Sequence, residues 1–193
     1  MYTWNWQKKK GRKMRRNISA KIALCGIFAA LTCVCAMISI PFGPVPINMA
    51  HIAIFLSAWF LTPGLSFVSQ LVYILLGIVG LPVFSGFSAG LGHVLGPTGG
   101  FIIAYPVVAC LASYIFKMKK IKGAARIVLG LLIGWLVEYI VGTVYYSVVT
   151  STSPMVALTV CVIPFVVGDV CKSFVIYITC KKIKAKSILT NIG

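Results

Sequence analysis

Acidic side chains are the scarcest chemical groups in this sequence of 193 residues, which has 18 Lys or Arg but only 2 Asp or Glu. Asp169 and Lys172 are three residues apart, so on a helix they share a face and can form an ion pair. Both fall within an apolar stretch, where a charge at the centre of a bilayer costs on the order of 2.5–3.5 kcal/mol. This pair predicts a ligand site, with a structural ion pair between two helices as the alternative.

The second acid, Glu138, lies in another apolar stretch of the chain. Spacings of three and seven residues put it on the same helical face as Trp135 and Tyr145. An ionisable group at membrane depth is a functional-site hypothesis by default, so Glu138 is a further candidate. His51 and His93 have no carboxylate near them in the sequence, and we interpret each as a packing or interfacial residue.

Metal and nucleotide chemistry find little support in the sequence. The 7 Cys fall within apolar stretches, and the sulfurs of Cys33 and Cys35 are about 200° apart on a helix, which prevents chelation from one face. A role as small buried apolar residues explains them better. The sequence has no Ser-His-Asp, paired-carboxylate or phosphate-loop pattern. We therefore expect no metal and no cofactor, and any energy must come from a gradient or a partner.

The distribution of charge indicates an integral membrane protein. Charged residues make up only 10% of the chain, against about 25% in soluble domains, and 60% of residues are hydrophobic. The bases form three groups, at 8–21, 117–126 and 172–186, and residues 22–116 hold no charged side chain. This pattern excludes a disordered chain and a secreted disulfide scaffold. The run at 8–16 could bind nucleic acid or begin a signal peptide, but an anchor on anionic membrane lipid is favoured, so we expect no nucleic-acid partner.

Apolar runs between Pro- and Gly-rich breaks predict an all-α integral membrane fold with six transmembrane helices. With the N- and C-termini in the cytoplasm, the basic groups lie inside and the uncharged loops outside, as the positive-inside rule requires. The chain then divides into a basic cytoplasmic segment (1–18), a six-helix transmembrane domain (19–182) and a basic cytoplasmic tail (183–193). The predicted spans are residues 19–40, 47–61, 65–81, 101–116, 125–148 and 156–179.

Two further patterns concern surfaces. Gly26 and Ala30 form a small-xxx-small pair, which lets helices approach closely in lipid, either within the bundle or against a partner. The segment 80–100 contains 7 Gly and 2 Pro among apolar residues. Irregular backbone at membrane depth is tolerated only against protein or a water-filled cavity, so we expect this segment to form a cavity wall or lid.

Four segments of the sequence resemble the BioY family, the biotin-specific substrate-binding (S) components of energy-coupling-factor (ECF) transporters. The likeness extends from the first predicted span to the last, over about residues 20–182. The segments are Ile38–Ile47 (ISIPFGPVPI), Gly80–Phe84 (GLPVF), Leu95–Phe101 (LGPTGGF) and Ile163–Lys172 (IPFVVGDVCK).

The resemblance implies a non-enzymatic protein of the bacterial cytoplasmic membrane. Such a component captures biotin on the outer side and docks on a transmembrane coupling subunit driven by two cytoplasmic ATPases. Gly26 and Ala30 match the small-residue pattern by which the first helix meets that coupling subunit.

The resemblance also implies a set of substrate-binding residues. Asp169 and Lys172 match the Asp-x-x-Lys pair of the last helix, and Ser85 falls where the loop supplies a polar contact. Asn48 stands close to where the family usually has Gln and is expected to replace it. The chemistry of biotin adds aromatic cover for its bicycle, which Phe84, Trp135 and Tyr145 can provide. Glu138 departs from the family, where an apolar residue is expected at this position, and is a further candidate contact from its own chemistry.

Three other functions remain open from the residues alone. The chain could be an S component for a different vitamin, which direct binding of a vitamin panel would reveal. It could instead be a small integral-membrane enzyme that uses Glu138, Asp169 and His93, in which case a bound compound would be chemically changed. A purely structural subunit would bind no ligand.

Overall fold

Helices make up most of the chain in the computed structural model, which describes residues 2–41, 45–121 and 123–183, with side chains from Ile18 onward. A two-stranded antiparallel sheet, β1 (Ser39–Ile40) and β2 (Ile47–Asn48), joins the first two helices, and a 3-10 turn covers Ser85–Phe87. The α-helices of the described residues are α1 (Tyr2–Met37), α2 (Ala50–Phe60), α3 (Pro63–Ile78), α4 (Leu91–Val94), α5 (Gly99–Phe116), α6 (Ala124–Thr150), α7 (Pro154–Cys161) and α8 (Ile163–Lys182).

The expectation of an all-α protein with membrane-spanning helices agrees with this architecture, but six full spans do not emerge. Four described segments are long and apolar enough to cross a membrane. Helices α2 and α3 have only 11 and 16 residues, fewer than the roughly 20 that a spanning helix needs. The last predicted span is broken at Val162, whose backbone leaves the helical region before Pro164. The four segments are Ile18–Met37, Gly99–Phe116, Ala124–Thr150 and Pro154–Lys182.

One helix crosses the first boundary of the predicted division. The backbone of α1 begins at Tyr2 and continues without a break past residue 18, so residues 2–18 and the first span share one helix. The predicted tail 183–193 lies outside the described residues except for Ile183, as do residues 42–44 of the first predicted loop.

A stripe of small residues on α6 sets the interior of the bundle. A Cβ at Gly134 would lie 2.6 Å from the Phe55 ring, and one at Gly142 would lie 2.3 Å from the Phe101 ring, so only glycine permits this close packing. Glu138 lies midway between these two glycines at helical spacings of four. The close approach of α6 to α2 and α5 therefore carries Glu138 into the protein interior, where it is 2% exposed.

Buried hydrogen bonds join the first three helices. Thr32 Oγ1 donates to Gln70 Oε1 at 3.1 Å, and Gln70 Nε2 donates to Ser57 Oγ at 3.2 Å. Ser57 Oγ lies 3.0 Å from Ser66 Oγ, and all four side chains are fully buried. Because buried polar groups need partners, this relay fixes α1, α2 and α3 against one another, and with them the strands that lead into the site.

Candidate functional site

The Asp169–Lys172 pair forms on one face of α8. Lys172 Nζ lies 2.6 Å from Asp169 Oδ1, and the two residues are 4% and 5% exposed respectively. Lys172 also donates to the carbonyl of Asn48 at 3.2 Å, and its ammonium lies 5.4 Å from the centre of the Trp135 ring. The hydroxyl of Tyr139 donates to Asp169 Oδ2. The pair thus links α8 to α6 and to β2.

A second buried pair lies beside the first. His51 Nε2, from α2, lies 2.5 Å from Glu138 Oε1, from α6. The His51 ring packs 4.5 Å from the Trp135 ring and 5.6 Å from the Tyr105 ring, measured between centroids. His51 thus packs within the bundle, but it also has a carboxylate partner that its neighbours in sequence do not reveal, because residues 87 positions apart meet across the bundle.

Both pairs line one narrow cavity with a free volume of about 40 Å³. Three buried polar atoms of its lining residues have no hydrogen-bond partner among the described residues: Asp169 Oδ1, Glu138 Oε2 and His51 Nδ1. The contact of Lys172 with Asp169 Oδ1 is close but is not aligned as a hydrogen bond. An unsatisfied buried polar group costs about 1–3 kcal/mol. A ligand with N–H donors would satisfy the two carboxylate oxygens.

The Gly- and Pro-rich segment covers this cavity, as its composition predicts. Ser85, His93 and Thr98 contribute to the lining. Asn48 Nδ2 donates to Ser85 Oγ at 2.8 Å, which ties the segment to β2. The backbone N–H of Gly86 donates to Ser39 Oγ at 3.0 Å, which ties it to β1. Burial lowers the pKa of the His93 imidazole below its ordinary value, so this side chain is neutral at pH 7.

Six of the eight predicted substrate-binding residues meet at this cavity, and two do not. Phe84 is fully buried beneath the covering segment, where its ring stacks on His93 at 5.2 Å and meets Tyr73 edge-on at 5.6 Å. It therefore anchors the segment and does not line the cavity. The six that line the cavity are Asn48, Ser85, Trp135, Glu138, Asp169 and Lys172.

Tyr145 is the other predicted residue that lies away from the cavity. It packs against Gly100, where an added Cβ would come within 2.4 Å of the Tyr145 Cβ, and its hydroxyl points to the carbonyl of Val94 at 3.4 Å. The helical face that Tyr145 shares with Glu138 does not fix its depth in the bundle. The spacing of seven residues places Tyr145 about 10 Å from Glu138 along the axis of α6, which takes Tyr145 past the end of the cavity.

Two tyrosines that the sequence analysis did not select line the cavity instead. Tyr139 follows Glu138 directly and reaches Asp169 across the α6–α8 contact. Tyr105 lies on α5 and is 2% exposed. The signal for Tyr139 was its position beside an intramembrane acid, whereas nothing in the local sequence distinguishes Tyr105 from a core aromatic residue.

The small residues predicted to contact a coupling subunit lie on the outer face of α1. Gly26 and Ala30 are exposed, and a Cβ added at Gly26 would meet no atom within 4 Å. The adjacent small pair, Ala29 and Cys33, is buried within the bundle. The two patterns therefore occupy different faces of the same helix, one free and one packed.

Comparison with known proteins identifies the family. The sequence profile of the BioY family matches residues 7–188. A probable biotin transporter BioY of Pyrococcus horikoshii is 36% identical over 167 residues, which cover 86% of this chain and 98% of that protein. The biotin transporter BioY2 of Lactococcus lactis is 31% identical, with coverage of 81% and 86%.

A solved structure shows the same fold. The crystal structure of the S-component for biotin from an ECF-type ABC transporter superposes with a TM-score of 0.76 at 23% identity, covering 84% of this chain and 89% of that one. Together with the apolar helices, these relatives identify a multi-pass membrane protein. The resemblance seen in the sequence motifs is confirmed, and this chain belongs to the BioY family.

Proposed function

We propose that the cavity binds biotin and that the chain acts in biotin uptake as the substrate-binding S component of an ECF transporter. One observation carries the proposal: in a chain of the BioY family, buried carboxylate oxygens that have no hydrogen-bond partner among the described residues lie beside a buried ammonium at a cavity between helices. A multi-pass membrane protein needs no such groups for packing, because uncharged residues would fill the same space at lower cost.

The chemistry of biotin matches this arrangement. Its ureido ring offers two N–H donors and one carbonyl acceptor on an apolar bicycle. Asp169 Oδ1 and Glu138 Oε2 can accept from the N–H groups, and Lys172 can donate to the carbonyl while it balances the charge of Asp169. The Trp135 ring offers an apolar wall, and Ser85 and other residues of the cover close the opposite side. A few placed polar groups in an apolar cavity are typical of small-molecule sites.

Calorimetry with purified protein in detergent tests the function directly. We expect one biotin per chain, bound with nanomolar affinity, and recovery of the compound chemically unchanged. A panel of other vitamins tests the alternative substrate, and tighter binding of any of them would overturn the specificity. A chemically altered product would favour the membrane-enzyme alternative, and folded protein that binds none of the panel would contradict the proposal.

The proposal includes a topology of six membrane crossings with both termini in the cytoplasm of a bacterial cell. Support comes from the positions of the bases: Lys117, Lys119 and Arg126 flank the connection between α5 and α6, and Lys181 lies at the end of α8. Labelling of a single introduced cysteine with an impermeant maleimide tests this orientation in a Cys-free background. A cysteine at Lys120 should be protected in intact cells, and one at Ala89 should react.

We propose further that the exposed Gly26 and Ala30 face contacts the coupling subunit, which in turn carries two ATPase subunits. Leucine at both positions would add bulk where a close helix approach is required, and a Cβ at Gly26 would meet no atom of the described residues within 4 Å. The double variant should lose copurification with the coupling subunit and keep its biotin affinity. Ala125→Leu, at another exposed alanine, should keep both.

A further inference from the structure

A second cavity, of about 660 Å³, lies at the ends of α5, α6 and α8. It is separate from the biotin cavity. On α6, Arg126 precedes Glu138 by twelve residues, or about 18 Å along the helix axis. On α8, Lys181 follows Lys172 by nine residues, or about 13 Å. We call this second cavity the basic cleft. Its charged lining, among the described residues, consists of four cationic side chains: Lys117, Lys119, Arg126 and Lys181.

No acidic side chain of this protein can neutralise the basic cleft. The sequence has only 2 Asp or Glu, and both are in the buried pairs described above. The Arg126 guanidinium lies 5.6 Å from the centre of the Trp59 ring, and its Nε is buried without a hydrogen-bond partner among the described residues. Four clustered cations without an acidic side chain beside them therefore favour the binding of an anion from outside the chain.

The backbone adds to the positive potential of the cleft. Helix α6 begins at Ala124 after Gly123, which has a φ of 63° and provides no side-chain cap. The first N–H groups of a 27-residue helix thus point toward the cleft with the positive end of the helix dipole. Lys117 is fixed at the rim, because its Nζ donates to the Ala58 carbonyl at 3.0 Å, to Ser113 Oγ at 2.7 Å and to the Leu61 carbonyl. These three bonds use all of its N–H donors, so Lys117 contributes its charge to the cleft and not a hydrogen bond to the ligand.

An apolar groove of about 380 Å³ continues from the basic cleft along the outside of the bundle, between α6 and α8. Tyr177 lines both cavities, so the groove and the cleft meet at this side chain. The groove walls are aliphatic and aromatic and include Val128, Leu132, Val170 and Phe174, each of which is at least 45% exposed. At its far end the groove reaches Trp135, Tyr139 and Asp169, which also line the biotin cavity. The combined site is therefore cationic at the cleft and mainly apolar along the groove.

We propose that the basic cleft and the adjoining groove bind one anionic phospholipid, with the phosphate headgroup among the four cations and an acyl chain along the groove. The cleft lies where membrane-spanning helices end, which is the depth of lipid headgroups. Basic pockets between helices at this depth suit anionic headgroups. A free phosphate would use the cleft but leave the groove without a role, so the continuity of the two cavities selects a lipid.

Native mass spectrometry and thermal unfolding of the full chain in detergent test this site. The probes are dioleoyl phosphatidylglycerol, dioleoyl phosphatidylcholine and glycerol 3-phosphate. Phosphatidylglycerol should bind one molecule per chain and raise Tm, whereas phosphatidylcholine should bind at least about tenfold more weakly. Glycerol 3-phosphate should leave Tm unchanged. Equal binding of the two lipids would overturn the proposal, as would an equal shift with glycerol 3-phosphate.

Two double variants with the same change in net charge separate a built site from diffuse attraction. Arg126→Gln with Lys181→Gln removes two cations of the cleft and should weaken phosphatidylglycerol binding by at least about tenfold. Lys120→Gln with Lys182→Gln removes two bases outside the lining of the cleft and should change it by less than about twofold. Equal loss in both would show nonspecific attraction and refute the site. Biotin affinity, measured in parallel, should be unchanged in both and reports correct folding.

Discussion

The Asp169→Asn substitution separates a ligand site from a purely structural ion pair. The change keeps the size of the side chain but removes the negative charge beside the buried Lys172 ammonium, which still donates to the Asn48 carbonyl at 3.2 Å. Removing one member of a buried ion pair typically destabilises a protein by about 3–5 kcal/mol. The effect on binding is separate from this effect on stability. Loss of a charge-assisted contact to the ligand makes the free energy of binding less favourable by about 1.5–3 kcal/mol, which corresponds to roughly 10- to 150-fold in biotin affinity.

The double variant Asp169→Asn with Lys172→Met provides the deciding measurement. It removes both charges, so no unpaired ion stays buried, and replacement of a buried pair by uncharged groups is often neutral or stabilising. We therefore expect Tm to return close to that of the wild type, while calorimetry still shows a loss of at least tenfold in biotin affinity. Wild-type affinity in the stable double variant would refute the reasoning and leave the pair with a structural role only.

Two further predictions follow from close packing and from charge. Gly77→Ala would place a Cβ 2.0 Å from the Phe84 ring and displace this anchor of the covering segment, so biotin should dissociate several-fold faster. The control is Gly92→Ala, where the added Cβ meets no atom within 4 Å, and it should leave the dissociation rate unchanged. Burial, and then the nearby Arg126 guanidinium, lower the Lys117 pKa from 10.5 to about 8. Lys117 therefore loses its charge as the pH rises from 7 to 9, and phosphatidylglycerol affinity should fall. The lipid-free protein should instead gain stability between about pH 8 and 10.5, because over this range the unfolded chain still binds the proton that the folded protein has lost. Unchanged affinity across this range would contradict the assignment of Lys117 to the lipid site.

The sequence predicts the chemistry of the site better than its geometry. Asp169 and Lys172 are three residues apart on one helix, and helical periodicity alone brings them together. The pairing of His51 with Glu138 depends on how α2 packs against α6, and no local pattern encodes a contact across 87 residues. The glycines that allow this packing are visible in the sequence, but the partner that each of them admits is a property of the folded bundle.

The same limit explains the difference between Tyr145 and Tyr139. Periodicity assigns a residue to a face of α6 but not to a depth in the bundle, and the depth of the cavity is set by α8 and by the covering segment. Tyr139 lies at the correct depth, and its hydroxyl reaches Asp169 because α8 passes close by. The short α2 and α3 show a related effect. Polar side chains such as Gln70 and Ser57 satisfy one another within the bundle, so these helices are held by partners rather than by their own length.

The narrow cavity implies that the covering segment controls the rate of binding more than its affinity. A free volume of about 40 Å³ holds only a few water molecules, so a bicyclic ligand requires the walls to separate. The buried ion pairs lie on α2, α6 and α8, whereas the cover is joined to the strands by the exposed Ser39–Gly86 and partly buried Asn48–Ser85 hydrogen bonds. Opening at the strands would thus break two hydrogen bonds and leave both pairs intact, with the buried Phe84 still anchoring the segment. Variants of the cover should change association and dissociation together, whereas variants of the ion pairs should act mainly on dissociation.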